Sequence, residues 1–123
     1  MRPSLLAHGP LSRAAFALMV LLSFAVLFAP ASDVPSSPPG VDKIVHASLF
    51  AALALTGRWA GLARAVLAAG LVLYAAASEV IQGLIGRDAA VGDLLADVVG
   101  VLIGLLVWQW LGRRAGSGRD RLA

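Results

Sequence analysis

Apolar residues fall in four long blocks, and the stretches between them hold most of the charge. The first block, Ala14 to Ala29, is uninterrupted; its 16 residues make a helix of ~24 Å, which Leu11 and Ser12 would extend. The second runs from Val41 to about Trp59, the third from about Ala65 to Ile85, and the fourth from about Gly92 to Leu111. Each is close to the ~20 residues a helix needs to cross a bilayer. The pattern predicts an all-α, polytopic membrane protein: a basic leader at 1–13, a bundle of four transmembrane helices at 14–111, and a basic tail at 112–123. A second reading of the first block is a signal peptide, because Ala29-Pro30-Ala31 places small residues where a signal peptidase inspects the chain and Arg13 supplies a charged n-region. The proline between those alanines and the length of the block favour a retained helix; cleavage would leave three spans.

The breaks between blocks set the connections. Ser32–Gly40 holds Pro35, Pro38 and Pro39, which lack the N–H that regular structure uses, so it is a loop. Asp42 follows, placed to cap the second helix and favour the positive end of its dipole. Gly61 and Arg64 make a tight basic turn between the second and third spans. Arg58 snorkels, and Trp59, Trp108 and Trp110 mark an interface. Arg2, Arg13, Arg58, Arg64 and the tail residues Arg113, Arg114, Arg119 and Arg121 fall on one face, eight against two, with Lys43 and Arg87 on the other. The positive-inside rule then puts both termini in the cytoplasm of a multi-pass cell-membrane protein.

Composition narrows the class. The chain is 59% hydrophobic and 14% charged over 123 residues, which leaves room for one compact membrane unit and for no additional soluble domain. Any chemistry takes place in or at the membrane. Without cysteine there are no disulfides and no thiol nucleophile. The net charge of +3 does not indicate nucleic acid, because the basic residues flank apolar segments and form no stripe interleaved with aromatics.

Four alternating spans gather the polar residues at the outer end. Asp42 and His46 are i and i+4 on one face, Glu79 and Gln82 are i and i+3 on another, and Asp93, Asp97, Gly100 and Gly104 form the i, i+4, i+7, i+11 stripe of a third. The Gly100/Gly104 pair lets another helix approach closely, so the acidic stripe faces the bundle. One reading is an outward-facing pocket in which Glu79 is an acid, a base or a cation ligand, His46 a proton acceptor or donor, and Lys43 and Arg87 hold an anionic head group. The other is that Glu79 pairs with Arg87 and His46 with Asp97 merely to brace the helices. Tyr74 reads as core. A hard metal at Glu79, Asp93 and Asp97 is chemically conceivable, but the spacing is diagnostic of none, and neither metal nor cofactor is expected. The sequence shows no Gly-x-Ser-x-Gly nucleophile and no paired histidines, since His8 lies on the leader.

Asp42-Lys43-x-x-His46, Glu79-x-x-Gln82 followed by Gly86-Arg87, and then Asp93, Gly100 and Gly104 resemble the VanZ-like family of small bacterial membrane proteins, over roughly 41–106. Two positions depart from that pattern: Ala47 stands where an aromatic is usual, and Asp97 where asparagine is usual. The resemblance implies a four-helix protein of the cell envelope, the family's namesake being associated with resistance to the glycopeptide teicoplanin. Three functions follow as alternatives. The first is an envelope protein that binds membrane lipids and a lipid-linked wall precursor or a glycopeptide, without an assigned reaction. The second is an enzyme acting on a lipid phosphate through His46 and Glu79, with Lys43 and Arg87 on the phosphate. The third is a structural helper packing on a larger partner through Gly100 and Gly104. The missing nucleophile favours the first over the second.

Overall fold

The computed structural model describes residues 9–29, 40–86 and 91–122, with side chains to 115. All regular structure among them is helical: α1 (Pro10–Leu27), α2 (Val41–Trp59), α3 (Arg64–Leu84) and α4 (Val91–Leu122). Two bounds differ from the sequence pattern. Helix α1 starts ahead of the apolar block because Pro10 occupies the first helical position, where its fixed φ fits and no N–H is missed. Helix α4 runs through the basic segment to Leu122, where no proline stops it.

Three helices are long and apolar enough to cross a membrane: α1, α3 and the Val91–Ala115 part of α4. Of the four expected spans, α2 is the exception, since its 19 residues include Asp42, Lys43 and Arg58. Its place in the fold supplies the reason. Helix α2 packs on α1, α3 and α4, and its most extensive contact is with α4. His46, Leu49, Phe50, Leu53, Ala54 and Gly57 are buried, a stripe at i, i+3, i+4, i+7, i+8 and i+11. The outer helices carry the apolar exterior, with Leu18, Val66, Leu73, Leu102 and Leu106 all exposed. An outer surface of that kind is the composition of a multi-pass membrane protein.

Helices α2 and α4 run parallel and almost backbone to backbone. A Cβ on Gly100 would overlap the backbone of Ala47, and one on Gly104 would lie 2.5 Å from the Ala51 carbonyl oxygen and 2.7 Å from Ala54 Cβ. Small residues on both partners make this approach sterically possible. Helix α3 returns alongside both after a tight reversal in which Leu62 N–H reaches Gly57 O at 3.0 Å and Gly61 N–H reaches Arg58 O at 3.1 Å. This is a Schellman closure, and it needs the left-handed φ of 98° that Gly61 supplies. The buried stripe of α3 is Leu67, Leu71, Ala75, Ser78 and Gln82. Leu67 seats on α2 at Gly57, where a Cβ would stand 2.6 Å from its Cδ1. Helix α1 closes the bundle through an aromatic cluster in which the Tyr74 ring meets Phe24, Phe28 and Phe50 at centroid distances of 5.6, 6.3 and 5.7 Å.

Candidate functional site

The alternating helix directions bring the end of α1, the start of α2, the end of α3 and the start of α4 into one layer. His46 lies five residues into α2, Asp97 six into α4, and Glu79 five from the end of α3. At 1.5 Å per residue each is roughly 7–9 Å inside its helix end. The layer is therefore sunk below the rim of the bundle.

At its centre His46 Nδ1 and Asp97 Oδ1 are 2.7 Å apart. His46 is 2% exposed and Asp97 0%. A carboxylate only accepts, so Nδ1 is the donor. The second ring nitrogen, Nε2, looks toward Asp42 Oδ1 at 3.7 Å, beyond hydrogen-bond range. Asp42 does not cap α2 as its position suggests. The cap residue is Gly40, with φ at 89°, and Asp42 sits in the first turn with its carboxylate toward His46. Lys43 Nζ bridges to the buried Asp93 Oδ1 at 3.4 Å. Gly92 makes room for it, because a Cβ there would meet Lys43 Cε at 2.8 Å.

Two groups of donors result. His46, Glu79 and Asp97 present ligand atoms within 4.8 Å of one another, and so do Asp42, His46 and Asp93. His46 belongs to both. The Asp97 Oδ2 atom is buried without a hydrogen-bond partner among the described residues. Gln82 is directed elsewhere: its Nε2 donates to Leu27 O at 3.0 Å, tying the end of α1 to α3. Arg87, expected as an anion holder or as the partner of Glu79, lies outside the described residues. Among the described residues, four carboxylates (Asp42, Glu79, Asp93 and Asp97) face one ammonium and one imidazole. Lys43 already carries Asp93. Among the described residues the carboxylates of this layer outnumber its cationic groups, which suits a cation or a proton better than a phosphate. Gly100 and Gly104 lie one to two turns below Asp97, in the α2/α4 contact.

Three features escape a reading of the sequence. The small residues Ala47, Ala51 and Ala54 form the face of α2 that receives the two glycines; the Ala-xxx-Ala spacing was their only signal. Tyr74 is a core residue with a polar anchor, its hydroxyl 2.7 Å from Ser23 Oγ on α1. Gly92 left no signal at all, because its role depends on a lysine 49 positions away. No protein-family model, curated protein or solved structure matches the chain.

Proposed function

We propose that this chain is a VanZ-like, multi-pass protein of the cell envelope that crosses the membrane four times with both termini in the cytoplasm. The layer around His46 and Asp97 is then an outward-facing binding site, through which the protein alters lipid-linked wall precursors or glycopeptide susceptibility. The observation that carries this reading is the buried His46–Asp97 pair with Glu79 beside it, set into a bundle whose exterior is apolar. Ionisable groups at membrane depth are expensive unless they serve a pathway or a ligand. For α2, shielding by three neighbours offsets the polarity that would count against it as an isolated span. Catalysis on a lipid phosphate is the weaker alternative, because Lys43 is engaged by Asp93 and the surrounding carboxylates repel an anion.

Glu79→Gln tests the reading. It keeps the shape of the side chain and removes the charge, so the expected result is a protein that stays folded in detergent but no longer changes the glycopeptide susceptibility of a host in which the wild type does. Unfolding of Glu79→Gln, or full retention of the phenotype, would replace the binding site with a scaffold.

A further inference from the structure

We propose that His46, Glu79 and Asp97 form a binding site for a transition-metal dication of the zinc or manganese kind. The inference deepens the function proposed above by naming the ligand class of the same layer. Three helices each contribute one donor, and the ligand atoms lie within 4.8 Å of one another. Donors ~2.0–2.2 Å from a common ion stand ~3.3–3.6 Å apart in the tetrahedral geometry zinc prefers, so binding draws the group together by at most ~1.5 Å, within reach of side-chain rotation. A second observation points to a ligand independently of the cluster. Asp97 is fully buried, and its Oδ2 has no hydrogen-bond partner among the described residues although its Oδ1 is held by His46. A buried carboxylate oxygen in that state needs a cation or a proton.

The donor set selects the ion. One imidazole with two carboxylates fits zinc, manganese or iron, whereas calcium and magnesium prefer oxygen alone. His46 binds through Nδ1, the nitrogen facing Asp97, so the ion replaces the proton that Nδ1 donates there and the ring proton moves to Nε2, toward Asp42. Asp42 Oδ1, 3.7 Å from Nε2, stands where an outer carboxylate orients a ligating histidine and needs to close by ~0.5 Å to accept from it. Asp42 is exposed, with 53% of its side chain accessible, and so lies between His46 and solvent on the route of entry. Metal ligands dispersed over α2, α3 and α4 also explain why no spacing in the sequence announced them.

The full chain, purified in detergent through an affinity tag without histidines and stripped with a chelator, is titrated with zinc chloride and with manganese chloride. Metal content is measured in parallel on protein that was never stripped. The expected result is one ion per chain, a rise in thermal stability with added metal, and an affinity that falls in Asp97→Asn and Glu79→Gln by more than the ~10–100-fold typical of outer-shell changes. Asp97→Asn retains an oxygen to accept from His46, so its fold should survive. Absence of binding by the wild type for both metals overturns the proposal without recourse to any variant. Loss of binding in Asp93→Asn with retention in Glu79→Gln also overturns it, by moving the ion to the Asp42, His46 and Asp93 group. A metal-free protein whose susceptibility phenotype still depends on Glu79 refutes the metal and leaves the proposed function standing; a metal-binding protein without any such phenotype does the reverse.

Discussion

Replacing Gly100 by alanine should destabilise the bundle far more than one methyl group suggests. The added Cβ would lie 2.9 Å from both Cα and the carbonyl carbon of Ala47, and closer still to its carbonyl oxygen. These are backbone atoms, so no rotamer relieves the clash. Carbon pairs settle at ~3.5–4.0 Å, so α4 must retreat from α2 by roughly 0.6–1 Å. Asp97 is only three residues away on the same face, and its bond to His46 is 2.7 Å long. A retreat of that size takes the bond to the edge of hydrogen-bond range. Overpacking costs about 1–3 kcal/mol, and weakening a buried hydrogen bond to a charged group adds up to about 1.5–3 kcal/mol. At ~4–8 °C per kcal/mol for a small domain, the unfolding midpoint in detergent should drop by at least ~4 °C. Gly70→Ala is the matched comparison, since nothing lies within 4 Å of a Cβ built there and the position is exposed on α3. It should be neutral or stabilising by about 0.5–1 kcal/mol from the lower backbone entropy of the unfolded chain. Equal midpoints for the two variants would refute the close α2/α4 contact and the geometry of the polar layer that depends on it.

Topology follows from the eight-to-two distribution of basic residues: a reporter active only outside the cytoplasm should be silent when fused after Ala123 and active after Ser37, and an active C-terminal fusion would overturn the orientation. The Ser23–Tyr74 contact should be asymmetric. Ser23 Oγ donates to Val20 O at 2.6 Å, so the Tyr74 hydroxyl is the donor between them. Ser23→Ala therefore strands a donor and should cost about 1–3 kcal/mol, Tyr74→Phe should cost less, and the double variant should fall short of the sum in thermal unfolding; equal single losses that add would remove the direct bond.

What the sequence made legible is what local periodicity encodes. The stripe Asp93, Asp97, Gly100 and Gly104 lies on one helix, and a single period of 3.6 residues puts it on one face. The turn at Gly61 was equally local, because a glycine between a helix end and a basic start has few other uses. The cap expected of Asp42 failed by register: Gly40 is the cap residue, so Asp42 enters the first turn and meets His46 instead. His46 meets Asp97, the pairing that the bracing alternative offered from the sequence, and the register between α2 and α4 is what brings them together. That register is set by Ala47 against Gly100 and Ala51 against Gly104. Alanines in an apolar run look like filler, so the determinant of the register was written in the least conspicuous residues of the chain.

The same residues that weaken α2 as an independent span create the site. Asp42, Lys43 and His46 lower its apolar character at one end, and an isolated helix with that sequence would partition poorly into a bilayer. The fold compensates by surrounding α2 with three partners and by pairing its polar residues with those of α4: Lys43 with Asp93 and His46 with Asp97. Each of these pairs depends on the parallel α2/α4 contact, whose closest points are glycine against the backbone of Ala47 and Ala51. Glycine at 100 and 104 thus acts on the chemistry by setting the helix separation, without touching any ligand. An apolar substitution in this contact should consequently disturb the polar layer as much as a substitution within it, whereas changes on the outward faces of α1 and α3 should leave it intact.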